Sequence, residues 1–198
     1  MYPVFESVKV VNSRICLFES HLERMERTSI FLWNKPLNFP LLKEEIEAKT
    51  GKGLQKCRVS YSNENYLIDS MPYTKRTIQK LHLIQDNDIS YSCKMSDRNC
   101  FNIYTQGLKS DEDILIVKNN LLTDSSYSNI ALWNGNEWHT PATPLLKGTK
   151  REHLMKQGIL KEVTISTNHL DQYSKISLIN AMLELGETEI DMQSILPF

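Results

Sequence analysis

The stretch that decides the fold reads Leu145-Leu146-Lys147-Gly148-Thr149-Lys150-Arg151. Gly148 precedes a predicted helix from Thr149 to Lys156, which Gly158 closes. The first N–H groups of a helix lack partners within the helix and lie at the positive end of its dipole, so this position favours an anion. A glycine there lets a phosphate approach the backbone closely. Taken alone, the same pattern more often marks a simple strand-to-helix turn.

Upstream of this helix start lies a segment rich in hydroxyls and amides, Asp124-Ser125-Ser126-Tyr127-Ser128-Asn129. It has two interpretations: a polar loop between strands, or a carboxylate held near a cationic ring nitrogen. The apolar run Asp113 to Val117 predicts a strand before it. Ile130 to Trp133 and Glu137 to Thr140 flank Asn134-Gly135, which predicts a hairpin after it.

Lys94 and Arg98 lie four residues apart in Tyr91-Ser92-Cys93-Lys94-Met95-Ser96-Asp97-Arg98. If this segment is helical, the two side chains share a face. A lone lysine is usually a solvated side chain. A catalytic lysine must be partly desolvated, so that its amine can lose a proton and attack a carbonyl.

The residue pattern of the N-terminal half predicts strands with two inserted helices. The first helix contains His21-Leu22-Glu23-Arg24-Met25, and Ser20 with Glu23 has the form of a capping box at its start. A second helix is predicted from Leu41 to Lys49. Cys57, Val59 and Tyr61 alternate with polar residues, which predicts a half-buried strand that carries Arg58.

The polar segment Asp86 to Ser90 predicts a domain boundary. We therefore expect a small N-terminal α/β domain over residues 1–86 and a C-terminal α/β domain over residues 87–198 that carries Lys94. A chain of 198 residues is long enough for one large domain or two small ones, and it can bury a sizeable core.

The composition excludes several classes of function. The formal net charge of −1 implies no strongly basic face for nucleic acid. No stretch approaches the roughly 20 apolar residues that span a bilayer, and the start lacks the pattern of a signal peptide. The four cysteines form no Cys-x-x-Cys pair, so no metal site is expected. We expect a cytoplasmic protein without membrane or nucleic-acid partners.

Taken together, the segments resemble the class IV aminotransferase family, the pyridoxal 5'-phosphate (PLP) enzymes of fold type IV. That family includes branched-chain and D-amino-acid aminotransferases and 4-amino-4-deoxychorismate lyase. The resemblance implies a two-domain α+β or α/β fold, similar to D-amino-acid aminotransferase, with the cofactor between the domains, and a homodimer. The matching segments are Phe5-Glu6-Ser7-Val8-Lys9-Val10, His21-Leu22-Glu23-Arg24-Met25, Lys94, Asp124 to Ile130, Thr140-Pro141 with Leu145 to Arg151, and Asn180-Ala181.

The resemblance also implies a role for each residue. Lys94 is expected to be catalytic and to carry PLP as a Schiff base. Asp124, five residues before Asn129, stands where the family has a glutamate that binds the pyridine nitrogen. Arg24 and main-chain groups are expected to bind the cofactor phosphate. The full predicted cofactor set is Arg24, Lys94, Asp124, Ser128, Asn129, Thr149, Lys150, Asn180 and Ala181.

The spacing of Lys94 and Arg98, with Asn180-Ala181, resembles the lyase branch. The implied reaction converts 4-amino-4-deoxychorismate to 4-aminobenzoate and pyruvate in folate biosynthesis. This small amino substrate carries two carboxylates, so Arg58 and Arg98 are the predicted substrate-binding residues, and a structural ion-pair role for both stays open as the alternative. Two alternatives stay open: a PLP-dependent aminotransferase for branched-chain or D-amino acids, and a divergent, shortened PLP-binding protein without catalysis.

Overall fold

The structure, a computed structural model, describes residues 2–197 and divides into two compact units. The first unit contains the chain up to Thr74 together with Cys93–Asp97. The second contains Lys75–Ser92 and the chain from Arg98 onward. Within residues 2–197, none of the helices combines the length and the apolar character that crossing a membrane requires.

The first unit is an antiparallel sheet with two helices. Its elements are β1 (Val4–Val11), β2 (Arg14–Ile15), α1 (Phe18–Trp33), α2 (Leu42–Lys49), β3 (Leu54–Tyr61) and β4 (Tyr66–Pro72). The strand order is β2-β1-β3-β4. The sheet forms because β1 and β3 both alternate, so that every second side chain lies on one buried face.

The core of the first unit lies between this sheet and its helices. Val8 of β1 and Val59 of β3 belong to one buried apolar cluster with Met25 of α1 and Ile46 of α2. Glu6 lies between Val4 and Val8 on the same buried face of β1, and it is fully buried. A charged residue at such a position requires a partner.

The second unit is built on a larger mixed sheet. Its elements are β5 (Lys80–Gln85), α3 (Asn99–Thr105), β6 (Glu112–Lys118), β7 (Leu121–Ser125), β8 (Asn129–Trp133), β9 (Trp138–Pro141), α4 (Thr149–Lys156), β10 (Leu160–Val163), β11 (Lys175–Ile179), β12 (Glu189–Asp191) and β13 (Ile195–Leu196). The main path is β10-β9-β8-β7-β6-β5-β13, and β11 pairs with β8 and β12. β7 joins β8 at one paired position, Asp124 opposite Asn129.

The division between the units falls at a different place from the predicted boundary after residue 86. β5 lies before that boundary, but it pairs in parallel with β6, with Leu83 opposite Leu115, and so belongs to the second unit. Lys94 lies after the boundary, yet its segment returns to the first unit, where Met95 bridges to Val4.

Local patterns predicted several elements well. The helix from Thr149 to Lys156 is confirmed as α4 with the predicted bounds, and the hairpin at Asn134-Gly135 is confirmed as β8 and β9.

Two local predictions are wrong. The capping box at Ser20 does not start a helix, because α1 already begins at Phe18, whose side chain packs on the first unit's core. Leu17 precedes it in the left-handed conformation, at φ 52°. The loop interpretation of the Asp124 segment also fails at its start, since Asp124 and Ser125 belong to the buried strand β7.

Candidate functional site

In the second unit, the start of α4 offers an anion site. The Glu152 N–H donates to the Gly148 carbonyl (2.9 Å), so the N–H groups of Thr149, Lys150 and Arg151 precede the helical hydrogen bonds. Thr149 is 1% exposed, and its Oγ1 has no hydrogen-bond partner among residues 2–197. Because an unpaired buried hydroxyl is costly, this atom is suited to hydrogen-bond an anion bound at the helix start. A phosphate group fits the site.

The side chains of the next two residues bind carboxylates of the protein itself. Lys150 Nζ lies 2.5 Å from Glu184 Oε2. The Arg151 guanidinium contacts Glu162 and donates to the Pro141 carbonyl (2.8 Å). These contacts anchor the first turn of α4 and leave its main-chain N–H groups as the predicted anion ligands.

Gly148 is required by a close approach and not by its backbone conformation. Its φ is −76°, but a Cβ built on it would lie 1.9 Å from Asn129 Oδ1. The amide nitrogen of Asn129 donates to Asp124 Oδ1 (2.7 Å) and to the Leu146 carbonyl (2.8 Å). One side chain therefore contacts both the acidic segment and the turn before α4.

Asp124 is buried, and both of its carboxylate oxygens accept hydrogen bonds. Oδ1 accepts from Asn129, and Oδ2 accepts from the Leu146 N–H (2.9 Å). Burial raises the pKa of Asp124 to about 6, because desolvation outweighs these hydrogen bonds and the positive charge of Arg151. Such a carboxyl loses its proton readily when a cationic group approaches, which suits a partner for a protonated ring nitrogen.

The remaining predicted residues of this unit gather at the same end of neighbouring strands. Asn180 Nδ2 donates to Ser128 Oγ (2.8 Å), and Ile179 of β11 pairs with Asn129 of β8. Asn180 Oδ1 accepts from the N–H of Met182 (2.8 Å), which shapes the turn that contains Ala181. The structure thus brings Asp124, Ser128, Asn129, Gly148 and Asn180 together within the second unit.

The helical interpretation of the Lys94 to Arg98 segment is wrong. The segment is irregular, and α3 begins only at Asn99, with Arg98 as its N-cap. The Arg98 guanidinium contacts the Ser126 carbonyl and lies 4.8 Å from the centroid of the Phe101 ring. Since these contacts hold Arg98 in the second unit, it does not share a helix face with Lys94.

In the first unit, Lys94 is held beside β1. The Phe5 N–H donates to the Lys94 carbonyl (3.0 Å), and the Ser96 N–H donates to the Pro3 carbonyl (2.7 Å). Lys94 is partly buried, and its Nζ lies 4.9 Å from the centroid of the Phe5 ring. Partial burial is what a reactive lysine requires.

Arg58 contacts the same aromatic ring. Its guanidinium carbon lies 3.7 Å from the centroid of Phe5, and its Nε donates to Ser60 Oγ (3.2 Å). Phe5 therefore contacts two cations that were predicted to bind cofactor and substrate. In the sequence, this role is indicated only weakly, by an aromatic residue on the face of β1 opposite the core.

Arg24 is bound to a carboxylate of the protein. Its Nε donates to Glu6 Oε1 (2.8 Å), its Nη2 contacts Glu6 Oε2, and His21 Nδ1 donates to Glu6 Oε2 (2.8 Å). All three residues are buried. Burial opposes the ionisation of Glu6, but the charge of Arg24 and the hydrogen bonds from His21 and Arg24 outweigh it and hold the pKa of Glu6 well below its usual range.

Sequence reasoning missed Glu6, although a signal was present. A carboxylate between Val4 and Val8 on the core face of a strand must be paired, and His21 and Arg24 lie on one face of the following helix. The role of Arg24 toward a phosphate stays a prediction, and its guanidinium already forms this ion pair.

Comparison with known proteins places the chain in a family. Residues 3–187 match the family model for amino-transferase class IV. The chain belongs to this family. Class IV aminotransferases depend on PLP, and membership confirms the predicted fold-type IV class.

Three relatives illustrate the range of this family. An uncharacterized protein of Haemophilus influenzae is 32% identical over 187 residues, which cover 92% of this chain and 98% of that protein. A Haemophilus somnus 129PT protein, provisionally named 4-amino-4-deoxychorismate lyase, is 29% identical with a TM-score of 0.85, covering 93% of this chain and 98% of that one. A hypothetical aminotransferase of Mycobacterium tuberculosis, bound to α-ketoglutarate and PMP, has a TM-score of 0.78 at 18% identity, covering 99% and 83% of the two chains.

Replacement of Glu6 by glutamine tests the buried ion pair. At neutral pH we expect Glu6→Gln to lower the free energy of unfolding by about 3–5 kcal/mol, because the charge of Arg24 stays buried without a countercharge. Since the folded-state pKa of Glu6 is lowered, its stabilisation is present above about pH 4.5 and is lost as the pH falls further. Urea unfolding over a series of pH values measures both effects. Glu19→Gln, an exposed change on α1, is the control, and equal acid sensitivity of both variants would contradict the assignment.

The titration of Asp124 makes the free energy of unfolding depend on pH in the opposite direction to the titration of Glu6. Its folded-state pKa of about 6 exceeds the ordinary value of 3.8, so its contribution to stability is fully present below about pH 4 and is lost as the pH rises through 6. Relative to Asp124→Asn, we expect the wild-type free energy of unfolding to fall by about 3 kcal/mol across this window. Denaturant unfolding of the unliganded proteins measures the difference. The free energy of unfolding of the exposed variant Asp88→Asn should depend on pH as that of the wild type does. If Asp124→Asn shows this same pH dependence, the raised pKa of Asp124 is contradicted.

Proposed function

We propose that this protein is a PLP-dependent lyase that converts 4-amino-4-deoxychorismate to 4-aminobenzoate and pyruvate. The observation that carries the cofactor proposal is the linked set in the second unit. A buried carboxyl at Asp124 is hydrogen-bonded through Asn129 to the turn before a helix start, where the Thr149 hydroxyl has no partner within residues 2–197. PLP has a basic ring nitrogen and a phosphate, and this set supplies an acid for the first and an anion site for the second.

Each residue has a defined task in this proposal. The Asp124 carboxylate would accept a hydrogen bond from the ring nitrogen and hold the proton there. The N–H groups of Thr149 and Lys150, with Thr149 Oγ1, would bind the phosphate, and Asn180 and Ala181 would form a second turn for it. When bound, PLP supplies an electron-accepting ring that stabilises negative charge on the carbon next to the substrate nitrogen.

Lys94 performs the proton transfer. Its Nζ would hold the cofactor covalently, and its amine, when free, would accept the C–H proton from the ring carbon that bears the substrate nitrogen. The carbon–oxygen bond to the enolpyruvyl group breaks as the ring becomes aromatic. The departing enolate takes up a proton and becomes pyruvate, so one substrate gives 4-aminobenzoate and pyruvate without an added oxidant or reductant.

Two points support the lyase over amino transfer. The substrate carries two carboxylates, and Arg58 and Arg98 are the arginines assigned to them, each held against an aromatic ring in its own unit. The Haemophilus somnus relative that is provisionally named as this lyase matches nearly the whole of both chains. The M. tuberculosis aminotransferase is similar at the level of the fold.

Covalent attachment at Lys94 is the first test. We expect the protein to gain a visible absorbance band with PLP, and borohydride reduction to fix the cofactor on the peptide that contains Lys94, as read by mass spectrometry. Lys94→Ala should lose both signals, because no other amine is assigned to the cofactor. Lys52→Ala changes an exposed lysine of the same unit and should keep them. A cofactor mass on another lysine, or no band with added PLP, would overturn the assignment.

The products of the reaction are the second test. We expect formation of 4-aminobenzoate from 4-amino-4-deoxychorismate and no transfer of its amino group to 2-oxoglutarate. Arg98→Met should raise KM by about 10- to 100-fold, because one carboxylate loses a charge-assisted hydrogen bond, whereas the exposed change Arg27→Met should not. Amino transfer without 4-aminobenzoate would identify an aminotransferase. Bound PLP with neither product would identify a binding protein without catalysis.

A further inference from the structure

One asparagine links the acid and the anion site of the second unit. Asn129 Nδ2 donates to Asp124 Oδ1 (2.7 Å) and to the Leu146 carbonyl (2.8 Å), and the Leu146 N–H donates to Asp124 Oδ2 (2.9 Å). The three residues form a closed ring of hydrogen bonds. The position of the carboxylate and the position of the turn before α4 are therefore set together.

Steric contact fixes the same asparagine against the helix start. A Cβ on Gly148 would lie 1.9 Å from Asn129 Oδ1 and 3.1 Å from its Cγ. The side-chain amide thus fills the space beside the residue that immediately precedes Thr149. Since Asn129 is itself 6% exposed and opens β8, it has little room to move away.

We propose that Asn129 is a positioning residue that couples the Asp124 carboxylate to the start of α4. It acts through its hydrogen bonds to Asp124 and Leu146 and through its contact with Gly148, instead of contacting a cofactor. The coupling belongs to the chain itself, and only its use in binding PLP rests on the proposed function. In this view, Asn129 holds the acid and the phosphate ligands at a fixed separation, as a rigid two-point ligand requires.

The charges around the carboxylate determine how the coupling can be detected. The hydrogen bond from Asn129 favours the ionised form of Asp124, and Arg151 in the first turn of α4 is the charged residue that acts in the same direction. Loss of the Asn129 donor should therefore raise the pKa of Asp124 beyond its value of about 6. At the same time the turn before α4 loses the hydrogen bond between Asn129 and the Leu146 carbonyl, so the N–H groups at the start of α4 should bind anions less well.

The experiment uses the unliganded full chain and inorganic phosphate as the probe. Asp124 is titrated by its side-chain carboxyl ¹³C signal, and phosphate affinity is measured by calorimetry at a pH where Asp124 is ionised. We expect Asn129→Ala to raise the Asp124 midpoint by about one pH unit and to weaken phosphate binding about tenfold. Gly148→Ala should move both values in the same direction, although it leaves Asp124 and Asn129 unchanged in sequence.

A matched control comes from the same strand. The Thr123 hydroxyl is buried beside Asp124 in sequence and donates to the Ile116 carbonyl (2.9 Å), outside the ring of hydrogen bonds. Thr123→Val removes a buried hydrogen bond that lies outside this ring and should leave both the Asp124 midpoint and the phosphate affinity unchanged. Equal effects of Thr123→Val and Asn129→Ala would reduce Asn129 to a general structural role and overturn the proposal.

A measurement on the wild type covers the case in which a variant does not fold. As Asp124 takes up a proton, it becomes a weaker acceptor for the Leu146 N–H. The amide signals of Leu146 and Thr149 should therefore titrate with the same midpoint as the carboxyl. The coupling is wrong if Thr149 does not respond, and an absence of phosphate binding by the wild type would contradict the anion site. None of these readouts uses PLP, so failure of the Lys94 test leaves them interpretable.

Discussion

A carboxylate removed from water is stable only when the chain surrounds it with donors, and Asp124 imposes this demand on the second unit. Its two oxygens are satisfied from different places, by a side chain on β8 and by the backbone of the turn before α4. That turn can come close enough only because Gly148 has no side chain. The pairing of β7 with β8, the path of the turn before α4 and the start of α4 together place the hydrogen-bond donors that the buried Asp124 carboxylate requires.

The first unit contains a second buried carboxylate with the opposite electrostatic outcome. Glu6 faces a full cation, Arg24, through two hydrogen-bonding contacts, and its pKa is lowered. Asp124 receives hydrogen bonds from neutral amides, with Arg151 acting only through its charge, and its pKa is raised. Burial is similar in the two cases, so the kind of partner decides which form of the carboxyl is favoured. Glu6 is thereby suited to hold α1 against β1, and Asp124 to respond to an incoming charge.

Local sequence patterns predicted what depends on neighbours along the chain. The bounds of α4 and the hairpin of β8 and β9 follow from glycines and alternating residues that act over a few positions. The start of α1 at Phe18 depends on packing against the core of the first unit, and the irregular segment around Lys94 depends on hydrogen bonds with β1. No local pattern reports either contact. The position of Arg98 depends on a carbonyl in the loop after β7. The candidate residues were found through family resemblance, whereas the role of Glu6 depends on its contacts with α1, and that of Phe5 depends on the cations placed beside β1.

The contact between Gly148 and Asn129 also restricts how this sequence can evolve. A side chain larger than hydrogen at position 148 overlaps an oxygen that residue 129 supplies, so a change there is tolerated only after residue 129 has become smaller. The reverse order passes through an overpacked intermediate, which is destabilised. The two positions therefore form an epistatic pair in which the order of substitution matters, and a mutational path that abandons this arrangement must begin at the asparagine.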